Sequence, residues 1–518
     1  MSASDHAPTG IIGTSSVNRS RRFAAFLLIV VVLYAAGLNP YWRFQRDSAL
    51  YMSLARSLAQ TGRYAYENQP HVFVLPGFPA MLSLVYMALG ESFLVMNALV
   101  SALGVGCVAL ACALFARMGL TDRQLTACAV LFGLSRTLYY YSSHIMADVP
   151  FTFFVVLALY CGVRMLGAKG RSGWGWCAAA GAAVCAATFV RPLGPALLVA
   201  LVAAAWLRPG GWADRRANLA RTALLAVPTL ALAGAWIVRC ALVPAGDQQT
   251  YYGLFIGQRS LSALVTGMMG HIPHLVSSLA DGVLGVDLEL AGGIVLLLMM
   301  APGLATALRR GERLLCLFGL AYLTAVCLGT PGRRYLLPVL PVMAYWLVLG
   351  AGCIGEFLSG RLPPRRLLAT GTALLCLAVG VNVLRIGKVV QQARSSDFYA
   401  AISEGVLPDY FRLARWLKEN AAPGDVLWAR EDRFLYYFAQ VPTWSPAYVP
   451  PAGRQRRLLA ALQRRGVSYM VLDPGEDKLA WRVAELAASR PDVFEKAATF
   501  GRLELYRVHG DRLGMERP

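Results

Sequence analysis

Long apolar runs leave this chain few ways to fold. They lie at 22–39, 94–116, 125–141, 149–166, 174–190, 193–207, 219–242, 290–308, 314–330, 335–353 and 367–384. Set against the roughly 17 to 25 residues that a bilayer-crossing helix uses, they make about eleven candidate spans. Hydrophobic residues are 57% of the chain and charged residues 15%, and the mean hydropathy is +0.51. A soluble protein could not hide that much apolar surface, so the fold class is a polytopic α-helical membrane protein.

The first run follows a basic, Ser-rich tail at 1–21 and lacks a small-residue cleavage site, so it reads as a retained span rather than a signal peptide. The stretch 75–89 is also apolar, but it is short and opens with Pro76-Gly77-Phe78-Pro79, which suits an interfacial helix. Basic residues in the short loops set the orientation. Arg21/Arg22, Arg117/Arg123, Arg164/Lys169/Arg171, Arg208/Arg215/Arg216, Arg309/Arg310/Arg313 and Arg361/Arg365/Arg366 fall on one side, read as cytoplasmic together with the amino terminus. The opposite, exoplasmic side then receives the first loop 40–93, the turns at 142–148 and Arg191, the loop 243–289, the turn 332–334 and everything after Arg385. The net charge of +20 is largely this loop bias plus an Arg-rich carboxyl-terminal region. It suits contact with anionic lipid rather than nucleic acid.

Three parts are expected: a cytoplasmic tail 1–21, a membrane domain 22–384 and an exoplasmic domain 385–518. In the last, 409–420 has the apolar spacing of an amphipathic helix, 426–429, 468–472 and 503–508 read as strands, and 456–465 reads as a helix between them. A small α/β domain follows.

Arg46-Asp47-Ser48-Ala49-Leu50-Tyr51 stands just after the first span, so Asp47 is a carboxylate placed where hydrocarbon ends. With Ala55, Leu58, Gly62, Tyr64 and Pro76-Gly77-Phe78-Pro79, it resembles the opening of the GT-C glycosyltransferases. Residues 22–350 are similar to the bacterial branch of protein O-mannosyltransferase-like and aminoarabinose-lipid A transferase-like enzymes. Arg334-Tyr335-x-x-Pro338-x-x-Pro341 fits the same pattern. The resemblance implies a glycosyltransferase of a bacterial inner membrane, with its carboxyl-terminal domain periplasmic or extracellular. It would take a polyprenyl-phosphate-linked sugar donor at the outer face and pass the sugar to a lipid, glycan or protein acceptor. Ser48 stands where the O-mannosyltransferases pair their Asp with a Glu, which weighs against a protein Ser/Thr acceptor. A lipid or polysaccharide transporter and a non-catalytic cell-envelope assembly protein are the alternatives, although no internal repeat of broken helices supports the transporter.

Such a transfer needs a group to take the acceptor proton and cations to receive the phosphate. Asp47 is the candidate base and Asp148, in an exoplasmic turn before a span, the supporting carboxylate; each can also cap a helix. Arg46, Tyr51, Arg191, Arg259, Arg333, Arg334 and Tyr335 are the candidate phosphate binders, because the arginine fork matches phosphate oxygens. Snorkelling or lipid-headgroup contact would also account for the arginines, and interfacial anchoring for Tyr51. Glu67, His71 and His144 are candidate accessory groups; His71, His144, His271 and His274 could hold a divalent metal with Asp47, Asp148 or Glu67, or be structural, and their spacing resembles no dedicated metal cage. The loop 243–289, with Tyr251, Tyr252 and the apolar 261–279, reads as a mobile lid or as an interfacial helix. Trp416, Trp428, Tyr436, Tyr437 and Trp444 among many arginines suit carbohydrate stacking or the binding of an acidic glycan, and a folded cover that stabilises the catalytic half is the alternative.

Overall fold

A computed structural model describes residues 12–168, 172–208, 212–243, 260–329, 331–361, 363–403, 406–445, 454–473 and 480–513. The chain divides into two compact units. One holds Met1–Trp42, His71–Met81 and Ala88–Ala393; the other holds Arg43–Pro70, Leu82–Met87 and Arg394–Pro518.

The first unit is helical. Among the described residues, seven helices are long and apolar enough to cross a membrane: Phe93–Phe115, Asp148–Gly167, Ser172–Val190, Arg215–Leu242, Glu289–Arg309, Arg333–Ser359 and Arg365–Ala393. Each overlaps an expected span. Pro195–Leu207 and Arg313–Cys327 are shorter apolar helices at two more, and the first run lies in the helix Ile12–Ala36. The run 125–141, expected as one span, is instead two helices, Asp122–Gly133 and Arg136–Ser142. Ser135 breaks it: its backbone is extended and its hydroxyl accepts the Leu138 N–H, so it starts a new helix. The stretch 75–89 forms the helix Gly77–Leu89, and 261–279 belongs to the helix Leu261–Leu284, whose Leu275, Leu279, Ala280, Gly282 and Val283 are buried. Tyr251, Tyr252 and Arg259 lie outside the described residues.

Small residues let these helices approach closely, as in membrane bundles where tight packing must replace the hydrophobic drive. A Cβ on Gly303 of Glu289–Arg309 would land on the Trp346 carbonyl oxygen, and one on Gly350 of the helix Leu340–Ser359 on the Met299 carbonyl oxygen. Gly355, farther along Leu340–Ser359, meets nothing within 4 Å. Gly303→Ala is therefore expected to destabilise the protein by roughly 1–3 kcal/mol, whereas Gly355→Ala is neutral or slightly stabilising. Thermal unfolding of both variants in detergent checks this, and equal midpoints would refute the close approach.

In the second unit a mixed sheet has the order β4 (Thr443–Trp444), β3 (Val426–Trp428), β5 (Val467–Leu472), β7 (Leu503–Val508), β6 (Phe494–Phe500). The first three strands run parallel, and β7 is antiparallel to both its neighbours, with Met470 opposite Tyr506 and Glu495 opposite Arg507. β6 and β7 form a hairpin whose turn includes Gly501 at φ +58, a conformation that costs glycine little. The core gathers Trp428, Leu462, Val467, Met470, Leu486 and Phe494. The amphipathic helix spans Val406–Asn420 and buries Leu407, Tyr410, Leu413, Ala414 and Leu417. This is the small α/β domain expected from the sequence. Trp428 and Tyr437 are buried, and Trp416 packs edge-on against Tyr469 and Phe500, so these three rings serve the packing of their own unit.

The second unit also takes in the first-loop segment. There the helix Arg46–Thr61 ends on Gly62 in the left-handed region, and a short hairpin pairs β1 (Ala65–Tyr66) with β2 (Gln69–Pro70). Glu67 and Asn68 form its turn at φ 52 and φ 60, the positive angles of a type I′ turn.

Candidate active site

In the first unit, Asp148 is the opening residue of Asp148–Gly167 and is 1% exposed. It follows the N-cap Ala147, and the helix dipole favours a negative charge there. Its partner, Arg191, lies in the tight turn that Pro192 and Gly194 make between Ser172–Val190 and Pro195–Leu207. Arg191 is 9% exposed, and its Nη2 donates to Asp148 Oδ2 at 2.7 Å.

Gly332-Arg333-Arg334-Tyr335 enters the same unit as a 3-10 helix, Arg333–Val339, rather than an α-helix from the start. Pro338 lacks the N–H an α-helix would use, and Pro341 suits the first turn of Leu340–Ser359. The Tyr335 ring takes the Arg191 guanidinium at 5.4 Å and that of Arg334 at 4.8 Å, and Arg334 Nη2 donates to the Tyr335 hydroxyl at 2.8 Å. Arg333 reaches Asp281 at 3.2 Å, and so does Arg136 at 3.5 Å. Four expected residues thus form a chain of contacts, Asp148 to Arg191 to Tyr335 to Arg334. Arg136 and Asp281 were missed by the sequence reading. Arg136 hid inside a run read as one span, and Asp281 in a stretch read as lid or surface helix.

His144, Nδ1 donating to the Tyr140 carbonyl at 2.7 Å, is buried against the Tyr140 ring. His71 is buried too: its Nε2 accepts the Val74 N–H at 3.0 Å, and its carbonyl accepts from Arg239 at 2.8 Å, so it fixes a turn. Among the described residues, no three His, Cys, Asp or Glu side chains gather as metal ligands.

In the second unit, Asp47 lies in the first turn of Arg46–Thr61, whose N-cap is Gln45. Asp47 Oδ1 accepts from Arg433 Nη1 at 2.7 Å; both side chains are partly exposed, 32% and 26%. Arg46 turns to the same carboxyl-terminal segment, donating to Asp432 at 3.0 Å and to the Arg430 carbonyl at 2.9 Å. Tyr51 is buried one turn beyond Asp47. These partners, Arg433 and Asp432, were also missed, since nothing local in either segment announces a contact across so much sequence.

Glu67 Oε1 accepts the N–H of Thr443 at 3.0 Å, covering a donor of β4, which is the edge of the sheet. The Glu67 N–H donates to the Tyr436 hydroxyl at 3.1 Å. Burial pushes the Glu67 carboxyl up to about 7, with the Thr443 N–H and Arg465 opposing and Asp432 adding to the push. A carboxyl raised in the folded state contributes stability that is full below its ordinary value of 4.5 and is lost as pH rises through about 7. Glu67→Gln is expected to flatten that decline. Unfolding midpoints of both proteins across this range check it, and parallel pH profiles would refute it.

The chain's residues 84–216 match the dolichyl-phosphate-mannose-protein mannosyltransferase family, a stretch that includes Asp148 and Arg191 but not Asp47. No curated protein matches the sequence. Among solved structures, ArnT from Cupriavidus metallidurans in the apo state is similar at a TM-score of 0.61 and 16% identity, covering 96% of this chain and 99% of that one. The same protein bound to undecaprenyl phosphate gives 0.62 at 15% identity, covering 94% and 98%. The archaeal oligosaccharyltransferase AglB from Archaeoglobus fulgidus gives 0.58 at 13% identity, covering 87% and 69%. Helical membrane spans, a small carboxyl-terminal α/β domain and likeness to ArnT over nearly the whole of both chains give this protein the GT-C glycosyltransferase fold.

Proposed function

We propose that this protein transfers a sugar from a polyprenyl-phosphate carrier to an acceptor hydroxyl on a lipid, glycan or protein at the exoplasmic face of a bacterial inner membrane. Asp47 takes the acceptor proton as the acceptor oxygen bonds to the anomeric carbon. The sugar–phosphate bond breaks, its electron pair leaves on the phosphate oxygen, and the arginines receive the charge that develops there.

The observation that carries this reading is the excess of arginine in the first unit. Arg136 and Arg333 share Asp281, and Arg191, paired with Asp148, meets Arg334 over the Tyr335 ring, so among the described residues of these two groups four arginines stand against two carboxylates. Surplus charge in such a setting calls for an anionic ligand, and guanidinium forks suit phosphate. The fold shared with an ArnT that binds undecaprenyl phosphate supports the carrier class.

Vesicles holding the purified chain test the reading against transport. With a mixed pool of polyprenyl-phosphate donors carrying radiolabelled sugars, and membrane acceptors, label is expected on the acceptor with carrier phosphate released alongside it. Label that crosses the bilayer still attached to its carrier would replace transfer with transport.

A further inference from the structure

Asp281 closes a junction of four segments in the first unit. It lies in the last turn of Leu261–Leu284, where its carbonyl accepts the Gly285 N–H at 3.1 Å. Its carboxylate takes Arg333 of the 3-10 helix on Oδ2 and Arg136 of Arg136–Ser142 on Oδ1. Both guanidinia also lie over the Tyr140 ring, at 5.4 Å and 5.9 Å. Asn382, buried on Pro364–Ala393, locks the frame: its Oδ1 accepts the Arg136 N–H at 2.8 Å and its Nδ2 donates to the Leu284 carbonyl at 2.9 Å. Thr137 Oγ1 adds a bond to the Gly282 carbonyl at 3.1 Å.

An arginine side chain carries much rotamer freedom, and a site that must meet a phosphate gains when that freedom is removed beforehand. Asp281 and Tyr140 supply the restraint, one through charge and the other through its ring face. A single carboxylate shared by two guanidinia leaves a positive charge over, so the restraint does not neutralise the cluster.

We propose that Asp281 is a positioning residue that holds Arg333 in the orientation that receives the carrier phosphate, with Arg136 and Tyr140 as its backing. This rests on the reading that Arg333 meets phosphate.

The test is a double-mutant cycle on the full chain in detergent, with undecaprenyl phosphate as the probe and Kd as the readout. Asp281→Asn is expected to weaken binding about tenfold, close to one charge-assisted hydrogen bond. Arg333→Ala weakens it at least as much, and the double variant is no weaker than Arg333→Ala alone. Asp281→Glu, which keeps the charge, recovers part of the loss and carries the cycle should Asp281→Asn not fold. Wild-type affinity in Asp281→Asn, with Arg333→Ala impaired, overturns the positioning role and leaves the phosphate reading standing. Additive losses in the double variant also overturn it, because Asp281 would then act apart from Arg333. Unchanged affinity in Arg333→Ala, or no binding by the wild-type chain, overturns the phosphate reading and the positioning role together.

Discussion

Asp148→Ala is expected to destabilise the protein by about 3–5 kcal/mol, the cost of stranding a buried guanidinium. Arg191 is almost fully enclosed, and its Nη2 gives Asp148 a 2.7 Å hydrogen bond. Alanine would leave the positive charge in the helical unit without that carboxylate. The pair itself need not be strongly stabilising, since the desolvation of both ions offsets most of their attraction. Replacing both residues together, as Asp148→Leu with Arg191→Met, should therefore recover most of the stability. Thermal unfolding in detergent compares the variants. A single variant as stable as the double would show that Arg191 reaches water or another carboxylate when Asp148 is gone. The loss should also respond little to added salt, because screening acts weakly on enclosed charges.

Hydropathy made the membrane helices legible because each of them must satisfy its backbone internally and present apolar side chains to lipid. It failed at Ser135-Arg136-Thr137, too short an interruption of an apolar run to weigh in a sliding average, although Ser135 caps a new helix there. In the carboxyl-terminal domain, β3, β5 and β7 were visible as apolar or alternating runs. β4, only Thr443–Trp444, is too short for any periodicity, and β6 is exposed at several positions, with Glu495 and Lys496 among its residues. Candidate charges could be named from type and position, as with Asp47, Asp148 and Arg334. Their partners could not. Asp47 with Arg433, Arg46 with Asp432 and Arg333 with Asp281 are pairs far apart in sequence, and ion pairing leaves no local pattern to read. Tyr437 and Trp428 show the same limit: residue type among arginines left a sugar platform and a folded cover open, and only the fold shows that both rings are buried.

Asp47→Asn carries the largest expected effect on activity. General-base assistance is worth about 10²–10⁴-fold in rate, and an amide cannot take the acceptor proton. The substitution is otherwise mild: Asn keeps the shape of Asp, its oxygen can still accept from Arg433, and position 47 is inside a helix rather than at its cap. Loss of rate without loss of folded protein is the signature of a lost base. The direct measurement is transfer of radiolabelled sugar from polyprenyl-phosphate donors to membrane acceptors by wild type and Asp47→Asn at matched amounts of folded protein. Transfer by the wild type that falls at least about a hundredfold in the variant is the predicted result; equal transfer by both would remove Asp47 from the mechanism and contradict the account.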